Sequence, residues 1–562
     1  MRPLTPMEVP SGSVLALEPN DSSTAHERPI LLVYPRAEPD WPDPGKLLGL
    51  PLAVLTVARG LVAAGHRVSI LDENVVGNTR AALAAEERPL FVGISVLGGY
   101  TIQSGLGIAR IAAELWPGVP RVWGGWNPTL LPELYEATDV RRFVDVVVRG
   151  RGEATAVALA DALKASGGVV EDLADVPGLS WWDPAGTLRR NVDAELDDPS
   201  EADPLPYQLV SDLTPYITRH GAINFISSYG CPHRCSFCGI PAYTRTFKAT
   251  RVTRVVDELE RLRSHGVNTI VFLDDNFFTS RERVVDLARE LVERDVGLAW
   301  HSNGRIDQIL KLSDEELELV VRSGCQGINV GWETGDQEVA DGVLKDVDVD
   351  DVHTLARRFA AAELHLSLNL MVGLPGETPE ALVTTLESLK TIHAEQPDME
   401  VCWYMFMPAP GTSLWERLVE EGRLTRPRTL FEHARLQPLY LEHPWYYVSP
   451  PRDVFREWRS KHKAIVWTFW MAYAAREPRL ALLRPAFRLA RRWCRWRFEG
   501  RRFAWMLDWR IAFACNALRD RTRWAWRRLL RTALLHRIGD RLRRPGEDAK
   551  DFVLVAGTHR ST

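Results

Sequence analysis

The sequence predicts an α/β chain in three parts: an N-terminal doubly wound parallel sheet, a central partial (β/α)6 TIM barrel and a mainly helical C-terminal region. Three observations carry this. Short β-branched runs alternate with helix-length stretches over 29–165, the alternation resumes at 222 and continues to about 410, and beyond 413 it stops and the composition turns to tryptophan and arginine. At 562 residues the chain is too long for one core, and roughly 100–200 residues per domain suits three. The expected boundaries are a disordered start at 1–28, the doubly wound domain at 29–170, a linker at 171–215, the barrel at 216–412 and the helical region at 413–562.

In the first domain, 30–34, 67–72, 90–96, 121–123 and 144–148 read as strands and 52–64 as a helix. Glycines stand at several strand ends, in Gly124-Gly125-Trp126-Asn127-Pro128-Thr129 and in Gly150-Arg151-Gly152-Glu153. There they let a bulky ligand approach the backbone, where a doubly wound sheet binds its ligands. In the barrel, strands are expected to begin near Ala222, Thr269, Gly297, Gly327, His365 and Glu400, with helices between them such as 252–265 and 282–294. Catalytic groups of such barrels lie at the carboxyl ends of the strands.

After the first barrel strand comes Gly230-Cys231-Pro232-His233-Arg234-Cys235-Ser236-Phe237-Cys238. Three thiolates in one short loop are one ligand short of a closed four-coordinate site. A cluster held by three cysteines keeps one iron open for chemistry. A zinc site would need a fourth ligand, and His233, wedged between the first two cysteines, is poorly placed to supply it.

The C-x3-C-x2-C spacing with an aromatic, Phe237, before the last cysteine resembles the signature of radical S-adenosylmethionine enzymes. The resemblance implies a [4Fe-4S] cluster on Cys231, Cys235 and Cys238, S-adenosylmethionine chelating the fourth iron, and one-electron cleavage to a 5'-deoxyadenosyl radical. It also implies cofactor contacts from matching strand ends: Phe237, then Asp274 and Asp275 in Leu273-Asp274-Asp275-Asn276, Asn303 and Arg305 in His301-Ser302-Asn303-Gly304-Arg305, and Glu333 in Asn329-Val330-Gly331-Trp332-Glu333-Thr334.

The glycine-bearing loops of the first domain resemble the Rossmann-like cobalamin-binding domain that precedes the barrel in one branch of this superfamily. The resemblance places Ser95, Leu97, Gly98, Gly124, Gly125, Asn127, Gly150, Gly152 and Glu153 around the corrin. Two departures stand out. Arg151 replaces an acid of the usual motif, a change read here as one of surface charge. No Asp-x-His-x-x-Gly loop follows the first strand, and the nearest look-alike, Asp72-Glu73-Asn74-Val75-Val76-Gly77, lacks the histidine and follows the second. Cobalt without a histidine ligand from the protein is therefore expected. Cys325 and Cys402 stand singly near strand positions; the default for such a cysteine is a small buried hydrophobe, with Cys402 the first place to look for an acid or base near the substrate.

The apolar and charged fractions, 45% and 25%, are those of a soluble globular protein. Seven cysteines, three of them in one loop, argue against a disulfide framework and for a reducing compartment. No signal-peptide core opens the chain and no uninterrupted apolar stretch reaches the roughly 18 residues of a span, so a cytoplasmic protein is expected. The net charge of −5 hides an asymmetry: residues 451–550 hold 27 Lys and Arg against 9 Asp and Glu, with nine of the twenty tryptophans. Trp467 and Trp470, Trp493 and Trp496, and Trp505 and Trp509 recur at helical spacing with arginines between them. A helical cap packed on the barrel is the expectation for this segment, with peripheral membrane contact and a lipid-like substrate as the alternative. Nucleic acid is not expected, because no binding module accompanies the charge.

The function these readings imply is a cobalamin-dependent radical S-adenosylmethionine methyltransferase. It would carry a methyl group through methylcobalamin to an unactivated carbon of a small natural-product or lipid-like substrate, with a flavodoxin or ferredoxin as reductant. An oxidative cyclase or rearrangement enzyme with the same cofactors, resembling the anaerobic cyclase of chlorophyll synthesis, is the second reading. A non-catalytic corrinoid or cluster sensor is the third.

Overall fold

The computed structural model describes residues 28–37, 49–434, 465–474 and 484–503, apart from 211, 212, 214, 218–221, 245 and 467. The disordered start expected at 1–28 falls outside these but for its last residue, as do Trp467, Trp505 and Trp509.

Near-continuous apolar runs make the strands of the first sheet, as burial on both faces requires of a parallel sheet. They are β1 (Ile30–Tyr34), β2 (Val68–Asp72), β3 (Val92–Ser95), β4 (Arg121–Gly124) and β5 (Val146–Val148), followed by β6 (Leu179–Trp182) and β7 (Leu188–Arg190). The order is β2-β1-β3-β4-β5-β6-β7, parallel through β5 and antiparallel beyond. The last two strands lie where the sequence suggested only a linker. Their turn, Asp183-Pro184-Ala185-Gly186, is closed by Asp183, which accepts from the Thr187 amide at 2.8 Å and from Arg189 at 2.8 Å. The strand order reverses between β1 and β3, which makes the loops at their carboxyl ends the expected ligand crevice.

The second sheet is built from β8 (Ala222–Phe225), β11 (Thr269–Phe272), β12 (Ala299–Arg305), β13 (Cys325–Glu333), β14 (His365–Val372) and β15 (Glu400–Met405). All six are parallel, in the order β15-β14-β13-β12-β11-β8, a (β/α)6 barrel left open between β8 and β15. A short antiparallel pair, β9 (Ser228–Tyr229) with β10 (Lys248–Ala249), closes the stem of the cysteine loop. The barrel strands alternate. On β14, Leu366, Leu368, Leu370 and Val372 are buried against the helices, while His365, Ser367, Asn369 and Met371 alternate with them on the lumen face. The usual filling of a closed barrel is branched apolar side chains; here it is polar.

The two halves share a core. Val92, Ile94 and Trp123 of the first sheet belong to one buried cluster with Val339, Leu374, Phe406, Leu414 and Trp415 of the second half. Loops at the carboxyl ends of both sheets also touch. Trp126, after β4, stacks on Tyr243, beyond the cysteine loop, with centroids 5.5 Å apart, and Arg151, after β5, lies over the Tyr229 ring at 3.4 Å. The two sheets therefore meet with their carboxyl ends toward each other. Of the C-terminal region, Ile465, Phe469 and Phe498 pack into the barrel core, as a helical cap would, while Trp493 and Trp496 of the helix Arg484–Glu499 stack on each other and stay exposed. Among the described residues no helix is long and apolar enough to cross a membrane.

The shared core carries a prediction. Trp415→Ala, at a position 1% exposed, should cost about 3–5 kcal/mol. Although Trp415 follows the barrel in sequence, hydrogen exchange should speed up in the helix Tyr100–Leu115 of the first domain. Exchange that changes only near residue 415 would show two separate cores.

Candidate functional site

The cysteine loop is shaped by two carboxylates that it does not itself contain. Asp274, at the end of β11 and 1% exposed, accepts from the Ser227 amide at 2.8 Å, the Ser227 hydroxyl at 2.7 Å and the Ser228 hydroxyl. Arg283 donates to Ser227 Oγ at 3.0 Å and its charge faces the same carboxylate. Asp275 accepts from the Gly230 amide at 2.7 Å and from Thr244 Oγ1 at 3.5 Å. Gly230 itself has φ +80°, and a Cβ there would run into the Thr246 carbonyl. Both oxygens of Asp274, expected as a cofactor contact, and Oδ2 of Asp275, expected likewise, are engaged in fixing the loop that carries the thiols.

Within the loop, Ser236 donates from its amide to the Val343 carbonyl at 2.9 Å and accepts from the Leu414 amide at 2.8 Å, tying the loop to the second half's later segments. Cys235 is buried, and Cys231 and Cys238 are half-buried. Burial pushes the Cys238 thiol up to about 12 and raises Cys231, with the neighbouring thiolates adding to both. Such crowding disfavours three anions and is relieved by a cationic cluster that binds them as thiolates. Among the described residues no group of three or more His, Cys, Asp or Glu is placed to hold a single metal ion; a cluster, whose thiolates bind separate irons, has no need of that geometry. His233 lies 3.0 Å from Gln308 and 3.8 Å from Asp307, engaged with the helix Ile306–Ile309 that follows β12. The donor set fits an iron-sulfur cluster.

Around it, Arg305 at the end of β12 donates to Cys235 Sγ at 3.4 Å, and Asn276 lies with Nδ2 3.8 Å from Cys231 Sγ. Glu333, at φ +69° beside a bulge in β13, pairs with buried Lys345 at 3.0 Å. Lys345 Nζ lies 5.9 Å from the centre of the Phe237 ring. In the lumen Asn303 accepts from Asn329 at 3.2 Å, and the buried Oδ1 atoms of Asn329 and Asn369 have no protein partner. Cys402, half-buried on β15, lies 3.5 Å from Ser367 Oγ, whereas Cys325 is fully buried with its thiol pushed up by burial. Sequence reasoning gave no role to Asn276, Lys345, Asn329, Ser367 or Asn369. The signal for the last three was there, as polar residues every second position in otherwise apolar strands.

In the first domain the cradle is narrower than expected. Leu97 is 48% exposed, Gly98 and Gly99 have φ +146° and +59°, and Gly150 has φ +77° with open space where a Cβ would be. Gly125, at φ +99°, allows the chain to pass within reach of Val96, whose carbonyl oxygen a Cβ would meet at 2.7 Å. Ser95 and Gly124 close β3 and β4 beside it. Leu273 and Tyr404, at the barrel's carboxyl ends, are likewise apolar and exposed. This glycine cradle with an uncovered apolar rim fits a large ring. Asn127, however, is 3% exposed: its Oδ1 accepts from Tyr135 at 2.7 Å and its Nδ2 lies 3.0 Å from His433 Nε2. It fixes the loop from behind. Gly152 caps the helix Glu153–Ala165. Arg151 is not a surface charge: it is 12% exposed and paired with Glu153, which is 13% exposed. The pairing takes up the Glu153 carboxylate.

Two family models match the chain: the B12 binding domain over residues 46–160 and the Radical SAM superfamily over residues 225–389. The chain thus joins a B12-binding domain to a radical S-adenosylmethionine domain. The enzyme is 28% identical over 414 residues to an uncharacterised methyltransferase of Pyrococcus horikoshii, covering 70% of this chain and 84% of that protein. It is 27% identical over 319 residues to an anaerobic magnesium-protoporphyrin IX monomethyl ester cyclase of Cereibacter sphaeroides, covering 56% of this chain and half of the cyclase's length. Its fold is similar to that of the methyltransferase TsrM of Kitasatospora setae, solved with cobalamin and a [4Fe-4S] cluster, at TM-score 0.60 and 22% identity over 71% of this chain and 79% of that one.

Two measurements test the site. Asp274→Ala should lower the iron and sulfide taken up on reconstitution and cost about 3–5 kcal/mol, because it strands Arg283 in a buried position; full cluster loading would contradict the clamp. Burial holds His433 down at about 4 in the folded enzyme, against about 6.5 for a free imidazole. The unfolded chain therefore binds the extra proton, and stability rises with pH across this window. On the order of 3 kcal/mol should be lost as pH falls from about 6.5 to about 4. In chemical denaturation, His433→Gln should lose less stability than the unaltered enzyme between pH 7 and pH 4.5.

Proposed function

We propose that the enzyme is a C-methyltransferase that carries a methyl group from S-adenosylmethionine through cobalamin to an unactivated carbon of a small molecule. One observation carries the reading: the cysteine loop and the glycine cradle occupy the facing carboxyl ends of two sheets joined by one core. A single substrate carbon between them is then within reach of both centres. When bound, the cofactors supply reductive cleavage of S-adenosylmethionine, a hydrogen-abstracting radical and a cobalt-borne methyl group. The chain's own work is placement. Cys231, Cys235 and Cys238 hold the cluster. Asn303 and Glu333 would be offered to S-adenosylmethionine, while Arg305 lies against Cys235. Ser95, Leu97, Gly98, Gly124, Gly125 and Gly150 admit the corrin. The polar lumen, with the unpartnered oxygens of Asn329 and Asn369, receives hydrogen-bond donors of the cofactor or substrate. The match to a methyltransferase along 84% of that protein, against half of the cyclase, favours methylation over ring formation. A reducing cytoplasm suits the free thiols and the cluster.

The test is anaerobic incubation of the reconstituted full chain with cobalamin, a low-potential reductant, methyl-labelled S-adenosylmethionine and small-molecule extracts. The expected products are 5'-deoxyadenosine, S-adenosylhomocysteine and a metabolite heavier by one labelled methyl, with Cys235→Ala giving none of them. Cleavage that yields 5'-deoxyadenosine with a product changed only in hydrogen or oxygen would replace methylation by cyclisation.

A further inference from the structure

Arg305, expected as an S-adenosylmethionine contact, is put by the structure to a different use. Its side chain is buried, the residue being 6% exposed, and the guanidinium is engaged from three sides. Nε donates to Asp307 Oδ1 at 2.9 Å. Nη2 donates to the Lys345 carbonyl at 2.7 Å and the Asp346 carbonyl at 3.1 Å. Nη1 donates to Cys235 Sγ at 3.4 Å. The carbonyls come from a segment in which Leu344 and Asp346, neither of them glycine, have φ +55° and +54°. Backbone of that kind costs free energy and persists only where its surroundings enforce it. The fold thus accepts strain to keep one cation against one cysteine sulfur. Asn276 approaches Cys231 from the opposite loop with an uncharged amide.

We propose that Arg305 is a positioning residue that raises the reduction potential of the cluster. The inference rests on the cluster reading of Cys231, Cys235 and Cys238. Reduction adds one electron from an external low-potential donor of the ferredoxin or flavodoxin type and makes or breaks no bond in the protein. The added negative charge is shared with the thiolate sulfurs. A fixed cation and an N–H···S hydrogen bond therefore stabilise the reduced form more than the oxidised one. Burial keeps water from screening that preference. Asp307 works against it, because its carboxylate, 26% exposed, offsets part of the guanidinium charge. Two substitutions should then act with opposite signs.

The experiment is a potentiometric titration of the anaerobically reconstituted full chain without S-adenosylmethionine or cobalamin, followed by the EPR signal of the reduced cluster. Iron and sulfide are counted in each sample. Arg305→Met should make reduction at a given potential at least tenfold less favourable, a shift of 59 mV for a one-electron couple. Arg305→Lys, which keeps the charge, should recover part of it. Asp307→Asn should shift the potential upward. Loaded Arg305→Met at an unchanged potential would overturn the proposal. So would an Arg305→Met chain that takes up no cluster together with an Asp307→Asn chain at an unchanged potential, since Arg305 would then be a purely structural contact. An unaltered chain that binds no cluster would overturn the reading beneath. Shifts of the expected signs without methyl transfer would leave the role of Arg305 standing and sink the function proposed above.

Discussion

The chemistry of this protein hangs on the shape of one nine-residue loop, and that shape is imposed by charge buried beneath it. Of this loop's side chains only Phe237 packs on an apolar cluster, and its backbone amides would be orphaned once covered. Asp274 and Asp275 anchor the loop and its stem by accepting from Ser227, Ser228 and Gly230. Arg283 faces the more buried of the two. A buried carboxylate is expensive unless every lone pair is used. Here the lone pairs are used to hold the cysteines, so the electrostatics that the fold needs for its own integrity also sets the cluster site.

The surrounding architecture follows the same economy. Parallel strands aim every loop that matters at one edge of each sheet, and the two edges are brought together by side chains belonging to neither sheet alone. Trp126 on Tyr243, Arg151 over Tyr229 and Tyr216 donating to Asp72 at 2.9 Å are contacts between halves, made by residues within a few positions of strand ends. The barrel contributes a lumen of asparagine, serine and histidine in place of a greasy plug. That choice exposes hydrogen-bonding groups where a nucleoside and a substrate would need them.

Much of this was legible in the chain itself. The strand and helix order could be read because β-branched runs and amphipathic periods are local properties, and the cysteine loop because its spacing is. Individual side-chain roles were harder, for a physical reason. Asp274, Asp275 and Asn127 look like ligand contacts because polar residues at strand ends usually are. Only the fold shows that Ser227, Gly230, Tyr135 and His433, distant in sequence or on other elements, have already claimed them. Arg151 likewise read as a surface substitution until its partner Glu153 and the Tyr229 ring were seen around it. The hairpin of β6 and β7 went unread because its strands are short and its turn sits in a stretch rich in aspartate and proline, a composition that marks linkers as often as turns.

The common core beneath the two halves has a consequence for how such a chain can be remodelled. Residues on both sides of residue 222 complete the same apolar interior, with Val92 and Ile94 on one side and Leu414 and Trp415 on the other. Neither half could be excised and grafted onto a foreign partner without opening a wound of hydrophobic surface. New specificities in an architecture of this kind are best gained by replacing lumen side chains in place, not by shuffling whole modules.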